Sequence, residues 1–197
     1  HATFLQWLSE THGVRGNEPR KNLIVAKLVE RNPGYDAKGV KFTGTAGANQ
    51  SVTLDGKKLT DISPLRGFDQ YAGVTIEADQ PEPFADITPL RRCELRAFRC
   101  PNTSVSDLWT LAGMPLLYLD ISRTKVSDLR PLRGMRLESL SCDGIPAPNL
   151  ADLRDTQIRK LQCGARLAMD LESLRAIAGL EENNGQPVAE FWKQVGE

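Results

Sequence analysis

The stretch from Leu116 to Met135 decides the fold: Leu-Leu-Tyr-Leu-Asp-Ile-Ser-Arg-Thr-Lys-Val-Ser-Asp-Leu-Arg-Pro-Leu-Arg-Gly-Met. In its first half, Leu119 and Ile121 stand on either side of Asp120, and such alternation is typical of a short β-strand with one buried face. Its second half, Asp128-Leu-Arg-Pro-Leu132, combines an Asp that can accept bonds from backbone N–H groups with a Pro that presets φ. This half predicts a short turn that returns the chain to the next strand.

The central strand position of this stretch recurs along most of the chain. An apolar residue returns in steps of 22, 22, 21, 21 and 21 residues, and a nearly constant period is the signature of stacked structural repeats. Stacking the repeats in register predicts about six short parallel strands. The central positions are Leu54, Ile76, Phe98, Leu119, Leu140 and Leu161.

The return segment also recurs. We assign Asp152 to the same place in the fifth repeat, where the Pro is missing and where Ile145-Pro-Ala-Pro-Asn149 predicts an insertion. Pro81-Glu-Pro-Phe84 predicts a second bulge in repeat two. About 21 residues leave little room for a full helix, so we expect 3-10 or irregular returns. The regular copies are Asp61-Ile-Ser-Pro-Leu65, Asp86-Ile-Thr-Pro-Leu90, Asp107-Leu-Trp-Thr-Leu111 and Asp128-Leu-Arg-Pro-Leu132.

These patterns together match the leucine-rich repeat, L-x-x-L-x-L-x-x-(N, C or T)-x-L, with Thr124 in the polar slot. We therefore predict an α/β repeat solenoid with convex 3-10 or irregular returns, forming one structural domain. Residues 1–50 are expected to form a helical N-terminal cap, 51–166 the repeats and 167–197 a helical C-terminal cap, since the open ends of a solenoid core need covers. The predicted cap helices are Thr3–Glu10, Glu18–Arg31, Leu167–Leu180 and Pro187–Val195.

Several of these motifs resemble a known family. The Asp-Ile-Ser/Thr-Pro-Leu return is similar to internalin-like and SDS22-like leucine-rich repeats. The run from Val126 to Leu137, the ending Asn184-Gly-Gln-Pro-Val-Ala-Glu-Phe-Trp-Lys193 and Val29-Glu-Arg-Asn-Pro-Gly-Tyr35 resemble planctomycete-type leucine-rich repeat proteins. That resemblance covers roughly residues 20 to 197. It implies a bacterial protein that is part of a longer chain, often attached to a serine/threonine kinase, and it carries over no catalytic residues.

Composition narrows the classes of partner. Lys plus Arg and Asp plus Glu both number 25, whereas a nucleic-acid binder usually has a basic excess. The sequence contains no run of 18 apolar residues that could span a membrane, and its start does not resemble a signal peptide. We therefore expect a protein partner, no nucleic acid, no membrane insertion and a monomer. A cytoplasmic location is favoured over an extracellular one.

The sequence offers little chemistry for catalysis or metal binding. No phosphate-binding glycine motif occurs, and His12 is the only imidazole placed to activate a nucleophile. Three cysteines fall in the Asn or Cys slot of the repeat, namely Cys100, Cys142 and Cys163. We expect them to be buried thiols. A Cys142–Cys163 disulfide is the alternative, and a zinc site is disfavoured. The prediction is a non-enzymatic protein without cofactor.

The exposed positions of the strands are the default binding surface of a solenoid, on its concave side. Binding hot spots favour Tyr, Trp and Arg, so we predict a protein-binding site at Arg99, Tyr118, Asp120 and Arg123. A convex stripe of Arg66, Arg91, Arg130 and Arg133 is expected to pair with Asp and Glu, with an anionic partner as the alternative. Two functions remain open: a recognition or regulatory module of a larger bacterial protein, and a stand-alone internalin-like surface adhesin. One concave column is expected to read Asp55, Glu77, Arg99, Asp120, Ser141 and Gln162, and the other Thr53, Thr75, Ala97, Tyr118, Ser139 and Lys160.

Overall fold

A computed structural model describes residues 2–45, 49–68, 71–91, 93–146, 149–164 and 170–195. In these ranges, nine strands form one sheet in which every strand pairs with its neighbours in chain order. The strands are β1 Val40–Thr43, β2 Ser51–Asp55, β3 Gly73–Glu77, β4 Ala97–Arg99, β5 Tyr118–Asp120, β6 Ser139–Ser141, β7 Lys160–Gln162, β8 Glu182–Asn183 and β9 Gln186–Pro187.

The strands from β2 to β8 are parallel, and this confirms the predicted repeat solenoid. One face of each strand is buried against a continuous apolar core that runs the length of the array. Leu119, at the centre of β5, is fully buried. Each repeat therefore completes the core of its neighbours, as the physics of stacked repeats requires.

The returns form as the Asp-containing motif predicts. The Oδ1 atom of Asp61, Asp86, Asp107 and Asp128 accepts a hydrogen bond from the backbone N–H two residues later, at 2.7–2.9 Å. This bond satisfies a donor that the first turn would otherwise leave unpaired. The 3-10 turns that follow are Ser63–Gly67, Thr88–Leu90, Trp109–Leu111, Arg130–Leu132 and Leu150–Leu153.

The strand register differs from the predicted one between the second and third repeats. Phe98 pairs with Val74 and not with Ile76, although Leu54 does pair with Ile76. The residues between β3 and the return that begins at Asp86 are more numerous here, and they include the predicted bulge at Pro81–Phe84. Because the slip is two residues, the same strand faces remain buried.

The fifth return begins at Asn149 and not at the predicted Asp152. Asn149 Oδ1 accepts a bond from Ala151 N at 3.0 Å, as the aspartates do in the other returns. Asp152 stands where Pro131 stands one repeat earlier, and its carboxylate binds Arg133. The interval between Asp128 and Asn149 is the ordinary 21 residues, so the predicted insertion in this repeat is wrong.

The N-terminal segment contains the two predicted helices, α1 Ala2–Gly13 and α2 Asn17–Arg31. The sequence missed β1, which pairs antiparallel with β2. Asn32 follows α2 and is fully buried. Its amide accepts bonds from the Thr60 and Asp61 N–H groups and donates to the Leu28 and Asp61 carbonyls, which attaches the helix to the first return.

The C-terminal segment continues the repeat instead of forming the long helix predicted for Leu167–Leu180. Residues 167–169 of that prediction lie outside the described ranges, and the remainder holds only α3, Leu171–Arg175. Asp170-Leu-Glu-Ser-Leu174 is a sixth copy of the return, with Asp170 Oδ1 accepting from Ser173 N at 3.2 Å. A seventh parallel strand, β8, then pairs with β7.

The end of the described chain is a hairpin followed by a helix. Asn184 and Gly185 have φ of 52° and 78°, which is the conformation of a tight hairpin turn between β8 and β9. The predicted last helix forms as α4, Val188–Gln194. Phe191 and Trp192 of α4 pack partly buried against the core.

Candidate interaction site on the sheet face

The sheet face, meaning the side of the sheet opposite the buried core, carries two rows of aligned side chains across β2 to β7. The register slip changes their membership, because Asp55 and Glu77 lie beyond the end of the row that contains Arg99. The first row is Thr53, Thr75, Arg99, Asp120, Ser141 and Gln162. The second is Ser51, Gly73, Ala97, Tyr118, Ser139 and Lys160.

Three of the four predicted binding residues lie together at the middle of the sheet face. Arg99 of β4 is aligned with Asp120 of β5, and its guanidinium lies 3.5 Å from the Asp120 carboxylate. The same guanidinium lies 5.7 Å from the centre of the Tyr118 ring, within the range of a cation–π contact. The aromatic ring and the carboxylate together restrain a side chain that is 48% exposed.

Asp120 is more buried than its sequence position suggests. It is only 7% exposed, and its other carboxylate oxygen accepts a bond from Ser122 N at 3.0 Å. Its geometry therefore suits the orientation of Arg99 rather than direct contact with a partner. The expectation that all of the candidate residues are exposed is wrong for this one.

Arg123 lies apart from the other three candidates. It occupies the turn after β5 with a φ of 54°, and its backbone N–H donates to the Asp143 carbonyl at 2.7 Å. Among the described contacts, none joins its side chain to Arg99, Tyr118 or Asp120. Arg123 is exposed at the edge where the strands end and not on the sheet face itself.

Small residues flank Tyr118 on the sheet face. Ala97 is its neighbour on β4 and Ser139 its neighbour on β6. Further along the same row, Lys160 pairs with Glu182 of β8 at 3.1 Å. The Tyr118 side chain is therefore half-buried among small neighbours, with the Arg99 guanidinium over its ring. A flat amphipathic side chain held in this way is suited to contact with another protein.

A second charged region lies where the sheet face meets the ends of the first strands. Asp55, Glu77 and Asp79 line a depression of about 840 Å³ together with Lys41 and Lys57. Sequence reasoning placed no lysine here because it missed β1, whose register sets Lys41 beside Thr53. Acidic side chains outnumber basic ones in the lining, so the depression is net negative and favours cationic groups over anionic ones. The acidic residues are Asp36, Asp55, Glu77, Asp79 and Glu82, and the basic ones are Lys38, Lys41 and Lys57.

The cysteines occupy a different slot from the predicted one. Cys100 and Cys142 precede Thr103 and Ile145 by three residues, as Ile121 precedes Thr124, so they stand in the apolar strand position. The polar slot belongs to Thr103 and Thr124, whose hydroxyls donate to the carbonyls of Cys100 and Ile121 at 2.7 Å.

All four cysteines are buried, and among the described residues none of them forms a disulfide, so the Cys142–Cys163 bridge is absent. Burial raises the pKa of the Cys100 thiol to about 12 and that of Cys163 to about 11. The thiolate is the reactive form of cysteine, and these environments suppress it. Within the described ranges, no cluster of three or more His, Cys, Asp or Glu side chains has the arrangement of a metal site.

The predicted convex arginines lie on the returns, and two of the four are engaged. Arg130 binds Asp128 at 2.8 Å, and Arg133 binds Asp152. Across the described part of the chain, Arg66 and Arg91 form no ion pair.

The helices that are described include none long and apolar enough to cross a bilayer.

The stacked parallel strands, the capped 3-10 returns and the continuous core define a leucine-rich repeat solenoid. Its fold is similar to that of an internalin, InlF, from Listeria monocytogenes, with a TM-score of 0.53 and 16% identity over 64% of this chain and 38% of that one. The chain thus corresponds to less than half of InlF. A second internalin, InlC2, from the same organism has a TM-score of 0.44 and 15% identity over 68% and 72% of the two chains. No family model and no curated protein matches the sequence.

Proposed function

We propose that this protein is a non-enzymatic protein-interaction module that binds its partner with the sheet face. The observation that carries the proposal is the arrangement of Arg99, Tyr118 and Asp120. The Asp120 carboxylate and the Tyr118 ring hold the Arg99 guanidinium in place before any partner arrives. Preorganisation of this kind lowers the entropy that binding costs.

The chemistry of the site favours a partner with an exposed carboxylate next to an apolar group. Arg99 offers forked donors that match a carboxylate, and Tyr118 offers apolar area with a polar tip. Asp120 acts through Arg99, whose orientation it sets. Arg123, at the edge of the face, is proposed to contact only a partner that extends past the ends of the strands.

The biological setting belongs to the same proposal. The resemblance to planctomycete-type repeats favours a recognition or regulatory region of a larger bacterial protein, attached to a kinase or to another domain, with a cytoplasmic location. The alternative is a surface adhesin, which the fold similarity to Listeria internalins favours. The gene sequence on either side of this chain distinguishes the two, since a kinase domain supports the first and a wall anchor the second.

The test of the sheet face is a partner captured with the full-length protein and then titrated against variants. Tyr118→Ala and Arg99→Ala should each weaken binding by about 1–3 kcal/mol, which is the hot-spot range. Asp120→Asn should weaken it less, because it loosens Arg99 without removing it. Arg66→Ala, on a return, is the matched arginine control and should change affinity little. The opposite pattern would place the binding surface on the returns.

A further inference from the structure

A groove lies along the segment that leads from the third return into β5 of the fourth repeat, on the side of the molecule where the strands begin. Two adjoining cavities of about 610 and 470 Å³ share Glu94, Gly113, Met114 and Pro115 in their linings. Together they run from Trp109, on the return, to Leu117, immediately before β5. We call this continuous depression the repeat-four groove. None of the four residues predicted to bind a partner lines it.

The groove exists because this connecting segment departs from the corresponding segments on either side. At the position after the last leucine of the return, the third return has Ala112, whereas the second and fourth have Arg91 and Arg133. Pro115 and Leu117 likewise replace charged residues that the neighbouring repeats carry. The strand ladder confirms the second alignment, since Leu117 N donates to the Arg96 carbonyl and Glu138 N to that of Leu117.

The floor of the groove is apolar and its walls are basic. Ala112, Pro115 and Leu117 form the floor with Met114, and Trp109 closes one end with 59% of its surface exposed. A single acidic residue, Glu94, lines the two cavities among their described residues. The arginines of the walls are Arg91 and Arg96 on one side and Arg133 and Arg136 on the other.

Within the described ranges, three of these four arginines have no carboxylate partner. Arg133 binds Asp152. In the part of the chain that the structure describes, no carboxylate lies within ion-pairing distance of Arg91, Arg96 or Arg136. An exposed Trp in a depression bordered by arginines has the composition of a protein-binding hot spot.

We propose that the repeat-four groove binds an extended peptide segment of a partner, in which a short run of apolar residues is flanked by Asp or Glu. The apolar residues cover Trp109, Pro115 and Leu117, and the acidic flanks meet the arginines of the two walls. This site is independent of the sheet-face proposal, because Arg99 does not line the groove.

Three substitutions separate the contributions to this site. Trp109→Thr installs the residue that Thr88 provides one repeat earlier, on a turn whose Asp cap is unchanged. The double variant Arg96→Glu/Arg136→Glu reverses one charge on each wall. Ala112→Arg restores the arginine of the flanking repeats, so it adds positive charge while filling the floor. Arg154→Glu, one repeat beyond Arg133 on the return side, is the matched charge-reversal control.

The experiment pans a displayed library of random twelve-residue peptides against the immobilised full chain and measures the enriched peptides by fluorescence polarisation. We expect apolar peptides with acidic flanks, and at least tenfold weaker binding to Trp109→Thr, to the double charge reversal and to Ala112→Arg. Arg154→Glu and Arg99→Ala should each change affinity less than twofold.

Four results would overturn the proposal. The first is that no peptide is enriched above background. The second is that the enriched peptides lack acidic residues, or bind Trp109→Thr as tightly as they bind the parent protein. The third is tighter binding to Ala112→Arg, which would mean that charge alone attracts the ligand. If vesicles containing phosphatidylserine bind instead and the double charge reversal abolishes that binding, the arginines serve an anionic surface and the peptide proposal fails.

Discussion

At the scale of single residues, Leu119 shows what holds each repeat in the stack. It is fully buried at the centre of β5 and is aligned with Phe98 on one side and Leu140 on the other. Leu119→Ala removes apolar contacts from three repeats at once and leaves a cavity, which costs about 2–5 kcal/mol. Chemical denaturation should show a lower midpoint and reduced cooperativity. Leu23→Ala, on the exposed side of α2, is the control, and an equal loss there would contradict the register described above.

Asp61 has a role that the other return aspartates lack, because it also meets the N-terminal cap. Burial by itself would raise the pKa of this carboxyl, but hydrogen bonds from Ser63 and Arg31 outweigh burial and lower the pKa below its ordinary value. The Arg31 bond measures 2.5 Å. A carboxyl with a lowered pKa in the folded state stabilises the fold at neutral pH, and this stabilisation is lost as the pH falls through the folded-state pKa.

Asp61→Asn tests this ion pair without removing the cap, since Asn149 shows that an Asn can accept the same backbone bond. The pair is partly exposed, so we expect a loss of roughly 1 kcal/mol or less at pH 7. The difference in free energy of unfolding between parent and variant should shrink below about pH 4. Asp86→Asn, which alters a cap that has no arginine partner, should show a smaller loss. A difference that grows on acidification would contradict the assignment.

At the scale of elements, the sequence predicted the strands more reliably than their alignment. The 21-residue period identifies β4 to β7 because an inward leucine or phenylalanine is required once in each repeat. It could not align β3 with β4, since a shift of two residues keeps every inward side chain inward. Both Val74 and Ile76 are fully buried, so hydrophobicity alone does not distinguish them.

The last return was missed for a similar reason. Leu171, Leu174 and Ile177 have the spacing of an amphipathic helix, and they also match the leucines of the return. The chain forms a return followed by β8, and not a long helix, because β8 pairs with β7 and satisfies the backbone groups at the edge of that strand. For the candidate site, the 21-residue repeat period was sufficient to predict that Arg99 and Tyr118 lie close together. The burial of Asp120 depends on side-chain packing that no spacing rule describes.

At the scale of the whole molecule, the two ends of the described sheet have features that we expect to hinder edge-to-edge association. In the described chain both terminal strands are antiparallel and short, with β1 covering β2 and β9 covering β8. Pro187 in β9 has no N–H to offer to another strand, and proline at an edge is a recognised way to block pairing. We therefore expect the terminal segments to protect the backbone edge as well as the apolar core.

Two C-terminal variants separate those two forms of protection. The double variant Phe191→Ala/Trp192→Ala keeps β9 but removes half-buried aromatic cover, so it should lower the free energy of unfolding by about 1–3 kcal/mol and leave the protein monomeric. Ending the chain after Gly185 removes β9 and α4 together and exposes both the edge of β8 and the core beside Asn183. This truncated chain should be less stable and should associate with increasing concentration, as measured by sedimentation velocity. Association of the double alanine variant to the same extent would assign the effect to exposed apolar surface rather than to the open strand edge.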